Sequence, residues 1–262
     1  MRYTEIKTCY IGPDISPEQF IPQHFFIYIA KGRMDGYDGH QKYTLKAGDY
    51  CIVRKNRLAR YNKQKDNGQF EKVVIILDEK LLRNFKEKYN PVIRKHNPKE
   101  AFLAIHRNNL IPEFIRSLSP YYGSSGRIND TFSDIKREEL LLILLENDPL
   151  LSGVLFDFGQ PEKTDLEEYM SRNYKFNVSI QRFAFLTGRS LSAFKRDFME
   201  AFSDTPGRWL LHRRLREAHF LIERKGQRPS DIYLGLGFED FSHFSFAFKK
   251  TFGVSPSEVV KK

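Results

Sequence analysis

At 262 residues the chain is long enough for one large domain or two ordinary ones. Its formal charge of +10 and pI near 9.4 favour polyanionic partners, without separating DNA from RNA or from a membrane surface. No run approaches the ~20 apolar residues that span a bilayer, and the first residues do not read as a secretion signal. The two cysteines, Cys9 and Cys51, make no metal spacing and fit reduced thiols in a cytosolic protein.

Residues 1–77 read as β-rich. His24 to Ala30 is aromatic and β-branched, and Tyr43–Lys46, Tyr50–Val53 and Lys72–Leu77 are further strands. Asp35-Gly36, Asp38-Gly39 and Ala47-Gly48-Asp49 supply turn chemistry between them, which predicts a sandwich or barrel. Residues 78–90 predict a helix capped by Asp78, with Leu81, Leu82, Phe85 and Tyr89 on one face. Residues 99–118 predict one or two helices, with Pro112 starting the second or bending the first. A loop is expected at 121–126. In 131–147 the six apolar residues Leu140–Leu145 cover every side of a helix. Such a helix is expected to be buried all round, and so to need a partner beyond the β domain. That partner is the other domain, the same helix of a second protomer, or simply the rest of one core. Asp157 to Lys163 is the expected linker, giving units 1–156 and 164–262. The excess charge is +5 in residues 1–161 and +5 in residues 162–262, so charge alone does not locate a nucleic-acid site.

The second unit reads as all-helical. Ser179 caps a short helix that ends at Thr187-Gly188-Arg189. Ser190 caps the next, with Phe194, Phe198 and Phe202 at four-residue spacing and Lys195 and Arg196 off that line. A long helix follows from Pro206. Then Ile232, Leu236, Phe238, Phe241, Phe244, Phe248 and Phe252 mark a helix, a turn at Gly237 and a second helix. Glu239-Asp240 places negative charge at the start of that helix, and Gly253 and Pro256 close it. This is helix-turn-helix grammar, in which the second helix can enter a major groove. The two units share a divergent motif at Ser190–Phe198 and, roughly, at Phe244–Phe252.

Ile232, Gly237-Phe238, Ser242-His243-Phe244, Phe248-Lys249-Lys250, Phe252-Gly253 and Ser255-Pro256 resemble the C-terminal signature of the AraC/XylS family of bacterial transcription regulators. The resemblance covers about residues 164–260, including the long linking helix. It implies two helix-turn-helix units that bind double-stranded promoter DNA. The order His24, Gly32 and Leu45-Lys46-Ala47-Gly48-Asp49-Tyr50 resembles the cupin-like sensory domain at the N-terminus of many such regulators. Two metal motifs mark enzymatic cupins, but here His24 has no histidine two residues away and Asn56–Tyr61 contains none. No metal and no cofactor are expected, and the chain is not expected to be an enzyme.

By the same resemblance, Ser192, Lys195 and Arg196 match base-contacting positions, with Ser190 beside them. On the second recognition helix Phe241, Ser242, His243, Ser245 and Phe246 match the exposed face, and Lys249 suits phosphate. Two departures stand out. Phe246 holds a place commonly filled by Arg, and Tyr233 one commonly filled by Ala, next to a compensating Gly235. Arg208, Arg213, Arg214 and Arg216 form either a phosphate-facing strip or a set of ion pairs and packing contacts. An effector pocket lined by His24, Phe26, Tyr28, Tyr50 and Tyr61 is a candidate, beside a closed barrel filled by its aromatics.

The reading is a cytoplasmic, sequence-specific DNA-binding activator. RNA polymerase is its implied partner, a small-molecule or protein effector its signal, and a homodimer through the 131–147 helix its assembly; no membrane is involved. The alternatives are a metal-dependent cupin enzyme with an accessory domain, and a non-specific or RNA-binding protein.

Overall fold

The computed structural model describes residues 8–11, 19–122, 127–128 and 130–259. The loop expected at 121–126 therefore lies mostly outside the described residues, as does the side chain of Cys9. Two compact units are present, Met1–Gly159 and Gln160–Lys262.

The first unit carries strands β1 (Thr8–Ile11), β2 (Phe20–Ile21), β3 (His24–Lys31), β4 (Arg33–Tyr37), β5 (Lys42–Lys46), β6 (Tyr50–Val53), β7 (Arg57–Leu58), β8 (Arg60–Gln64), β9 (Glu71–Leu77) and β10 (Phe102–Ala104). The main sheet has the order β1-β9-β3-β6-β10, with only β1 parallel to its neighbour. Side chains alternate across it. Phe26 and Tyr28, with Tyr50 and Ile52, face a core shared with the helices. Phe25, Ile27 and Ile29, with Cys51 and Val53, face a second core closed by Met34, Tyr43 and Leu45 of the three-stranded sheet β5-β4-β8. Both faces are covered, so the central strands read as continuous apolar runs.

Asp35-Gly36 is not a turn but the middle of β4. Tertiary contacts override its local turn chemistry. Asp35 accepts hydrogen bonds from Arg33, Thr44 and Gln64 at 2.7–2.9 Å, tying the three strands together. Gly36 lies under the Phe102 ring, where a Cβ would approach Cζ to 3.0 Å. Asp38-Gly39 does turn. The Asp38 carboxylate accepts from the backbone of His40 and Gln41 and from the Tyr43 hydroxyl, with Gly39 at φ +93°.

The helices over the first core are α1 (Glu79–Tyr89), α2 (Leu110–Ser117), α3 (Asp130–Asn147) and α4 (Leu151–Leu155). Asp78 caps α1 by accepting from Leu81 N at 3.0 Å, and Leu81, Leu82 and Phe85 are buried. Tyr89 instead stays exposed and packs on Phe85. The 99–118 stretch is only half helical. Phe102 to Ala104 add an edge strand to β6, and Pro112 sits inside the first turn of α2, which starts at Leu110. Arg54 holds the approach to that strand through the carbonyls of Pro98 and Glu100 and the side chain of Asn97.

The expectation of all-round burial for α3 does not hold within the chain. Leu140, Leu141 and Leu144 are fully buried, but Ile135 is 63% and Leu142 44% exposed. The helix lies at the edge of its core, so residues on its outer side find no cover there.

The second unit consists of α5 (Leu166–Asn173), α6 (Ile180–Leu186), α7 (Leu191–Phe202), α8 (Pro206–Lys225), α9 (Pro229–Ile232), a 3-10 turn at Leu234–Leu236, α10 (Phe241–Phe252) and α11 (Pro256–Val259). Leu215, Ala218 and Ile222 of α8 pack with Ile232, Leu236, Phe238, Phe244 and Phe248.

Candidate nucleic-acid interface

Helices α7 and α10 are built alike. Each has 12 residues. Ser190 caps the first by accepting from Ala193 N at 3.2 Å, and Asp240 caps the second by accepting from His243 N at 2.7 Å. Each ends on a left-handed residue, Ser203 at φ +51° and Gly253 at φ +77°. The buried phenylalanines correspond at a constant offset of 50, Phe194 to Phe244 and Phe198 to Phe248. The sequence pairing of Ser190–Phe198 with Phe244–Phe252 was therefore out of register; its partner segment is Asp240–Phe248. A phenylalanine every four residues matches itself again one turn along, so the ladder fixes the register only together with the caps, Ser190 and Asp240.

The helix that precedes α7 starts at Ser179, which accepts from Arg182 N, and ends at Thr187 and Gly188. Gly188 has φ +66°, and a Cβ there would lie 2.4 Å from the Glu162 carbonyl carbon. Arg189 fixes the turn to α7 by donating to Asp197 at 3.0 Å and to the Thr164 and Thr187 carbonyls. The Arg189 hydrogen bond foremost, with Arg196 and Lys163 beside it, holds the Asp197 carboxyl below the usual range. Sequence reading missed this pair, since nothing in a spacing of eight residues announces it.

The outward face of α7 presents Ser190, Ser192, Lys195, Arg196 and Met199, all exposed. Arg196 also reaches Asp197 at 3.1 Å. On α10 the exposed residues are Phe241, Ser242, His243, Phe246, Lys249 and Lys250, with Ser245 half-buried. Phe241 and Phe246 differ in setting. Phe241 packs edge-on against Tyr233 at 5.5 Å and against Phe244 at 5.9 Å. Phe246 is 70% exposed. These ring contacts, not Gly235, accommodate Tyr233; a Cβ at Gly235 would meet nothing within 4 Å. The element before α10 is broken into α9 and the 3-10 turn, and Gly237 at φ +88° opens the turn into α10.

The arginines of α8 do not form a strip. Arg214 turns inward, donating from Nε to Tyr174 O at 2.7 Å, from Nη1 to Gly237 O at 3.0 Å and from Nη2 to Phe176 O at 2.8 Å. Burial pushes its pKa down to about 10. Arg213 lies over the Tyr174 ring at 4.7 Å, Arg208 pairs with Asp204 at 3.6 Å, and Arg216 is exposed. Lys175 to Glu217 at 2.9 Å and Asn177 to Glu239 at 2.7 Å close the same joint. The segment after α5 is thereby fastened both to the linking helix and to the turn of the second unit.

Of the five residues of the candidate effector pocket, Phe26, Tyr28 and Tyr50 come together, and Tyr61 stands on another sheet. Alternation along β3 sends Phe26 and Tyr28 to the helix-covered face, where they pack on Tyr50 at 5.9 and 6.4 Å. Tyr61 stands on β8, with Lys72 Nζ 5.2 Å from its ring. His24 is buried, and its Nδ1 accepts from Lys55 N at 3.2 Å. The face toward the small sheet is filled by Phe25, Ile27, Ile29 and Met34. Among the described residues, no group of three His, Cys, Asp or Glu side chains is placed to hold a metal ion. No described helix is long and apolar enough to cross a membrane.

Two family models match the chain. Residues 24–152 match the ExsA N-terminal regulatory domain, and residues 183–262 match a helix-turn-helix domain. The virulence regulon transcriptional activator VirF of Yersinia enterocolitica is 23% identical over 236 residues, spanning 88% of this chain and 86% of that protein. The HTH-type transcriptional regulator ExsA of Pseudomonas aeruginosa is 23% identical over 87% of this chain and 83% of its own length. The HTH-type transcriptional activator RhaS of Escherichia fergusonii is 25% identical over 93% and 87%.

Proposed function

This chain belongs to the AraC/XylS family of transcription regulators, and from that premise we propose that it activates transcription by setting α7 and α10 into two adjacent major-groove segments of promoter DNA. Ser190, Ser192, Lys195 and Arg196 line the first segment, and Ser242, His243, Ser245, Phe246 and Lys249 the second, with Phe241 shared between that face and the core. The segments lie about one helical turn, ~10 bp, apart on one face of the duplex. One observation carries this reading. Two capped helices of equal length, in constant register, bury the same phenylalanine ladder and turn different polar faces outward.

The protein works in the cytoplasm and recruits RNA polymerase. It pairs as a homodimer through the outer side of α3, where Ile135 and Leu142 stand exposed. A protein effector suits the first unit better than a small molecule, because both of its cores are filled by side chains.

Selection of bound sequences from a random duplex library by the full-length protein tests the reading. The expected result is an enriched motif of about 15–20 bp, and Arg196→Ala should lose about 1–3 kcal/mol on that motif while changing little on scrambled duplex. No enrichment from the full chain or from residues 160–262, or preference for folded RNA at matched salt, would refute it.

A further inference from the structure

The register between the two recognition helices sets Phe246 at the place that Arg196 holds on α7. Both residues are exposed, Phe246 to 70%. Arg196 brings donors for the O6 and N7 acceptors of guanine. Phe246 brings none. It follows Ser242 by one helical turn and precedes Lys249 and Lys250 by about one. An apolar ring thus lies in the middle of a face that is polar at its start and cationic at its end.

Phe246 is not spare core. The interior of α10 is already supplied by Phe244, Ala247 and Phe248. Unlike Phe241, whose ring packs on Tyr233, Phe246 has no other described ring against it. Exposing so much apolar surface costs free energy unless binding removes it from water. Within a major groove, the apolar group that a base pair presents is the thymine 5-methyl.

We propose that Phe246 is the specificity-determining residue of the second recognition helix, and that it reads the 5-methyl group of a thymine in the DNA segment facing α10. The site is then chemically asymmetric. A guanine is read by Arg196 in one segment, and a thymine methyl by Phe246 in the next. This inference rests on the DNA-binding reading above.

The test takes the duplex recovered by selection and replaces each thymidine, one at a time, with 2′-deoxyuridine, which lacks only the methyl. Affinity of the full-length protein is read by fluorescence anisotropy. One position in the segment facing α10 should weaken binding about fourfold on loss of its methyl, the value of one buried methyl-sized group. Phe246→Ala should bind the thymidine duplex more weakly by a similar factor and no longer distinguish it from the deoxyuridine duplex. Phe246→Arg should exchange the preference at that position from thymine to guanine. Equal affinity for all substituted duplexes, with the site still preferred over a scrambled one, overturns the inference and leaves the DNA-binding reading standing. Methyl sensitivity that persists in Phe246→Ala overturns it as well. If no duplex is selected, the DNA-binding reading fails first and this inference falls with it.

Discussion

Replacing Arg214 with methionine should loosen the joint between the two helix-turn-helix units while keeping the aliphatic stem of the side chain in place. The guanidinium makes three hydrogen bonds, to the carbonyls of Tyr174, Phe176 and Gly237. Bonds from a charged donor contribute about 1.5–3 kcal/mol each. Desolvation opposes them, since it pushes the arginine down to about 10, which costs about 3 kcal/mol at 1.36 kcal/mol per tenfold. The balance, with three carbonyls left unpaired, is a loss of about 3 kcal/mol for Arg214→Met. Arg214→Lys should recover only part of it, because one ammonium cannot reach three acceptors in the guanidinium's plane. The assay is built into the chain. Trp209 is its single tryptophan, packed against Phe202 at 4.6 Å and edge-on to Phe198 at 5.7 Å. Its fluorescence during urea unfolding therefore reports the second unit alone. Arg213→Ala serves as control and should cost less than about 1 kcal/mol, the scale of an exposed cation–π contact. If Arg214→Met unfolds within about 0.5 kcal/mol of the parent, the clamp described here contributes nothing and the reasoning is wrong.

His24 gives a pH dependence. Its pKa is pushed down to about 3, by burial first and then by Lys55, Arg54 and Arg57. Between that value and the unfolded ~6.5 the unfolded chain holds a proton that the folded one refuses, so stability falls as pH drops below ~6.5. Circular-dichroism urea melts at about pH 7.5 and about pH 5 should differ by about 2 kcal/mol for the first unit. The difference should shrink in His24→Gln, and an unchanged slope in that variant would exclude His24 as the cause. Gly188→Ala and Gly226→Ala form a matched pair, both at positive φ, with backbone 2.4 Å from the new Cβ at the first and nothing within 4 Å at the second. The second should cost about 1 kcal/mol and the first more than about 2 kcal/mol; equal losses would mean that only the dihedral matters. Replacing Ile135 and Leu142 together with arginine should turn a dimer into a monomer in sedimentation without lowering the melting temperature. A parent chain that already sediments as a monomer would remove that interface.

The second unit was the more legible half, because its information is local. Ser179, Ser190 and Asp240 announce their helices by capping chemistry, Gly237 and Gly253 by their freedom at positive φ, and the phenylalanines by four-residue spacing. In the first unit, the central strands announced themselves by β-branched and aromatic runs. Elements settled by distant partners did not. Asp35-Gly36 has the composition of a turn yet is held straight by Thr44, Gln64 and Phe102. Phe102–Ala104 becomes a strand because β6 offers an unpaired edge. The interface followed the same division. Which residues face outward on α7 and α10 could be read from periodicity, whereas the inward turn of Arg214 depends on carbonyls 23 to 40 positions away. Of the candidate pocket residues, alternation puts His24, Phe26 and Tyr28 on one side of β3, whereas the place of Tyr61 on another sheet depends on strand pairing that local pattern does not carry.

The paired construction of α7 and α10 separates two inheritances that most proteins must carry in the same residues. The phenylalanine ladder packs each helix onto its core, on the side turned away from the outward face. The outward residues are free of that duty, so a lineage can rewrite them one codon at a time while the scaffold stays intact. The exchange of arginine for phenylalanine between positions 196 and 246 is a change of that kind. A regulator built this way can follow a drifting promoter, or take over another, without passing through an unfolded ancestor.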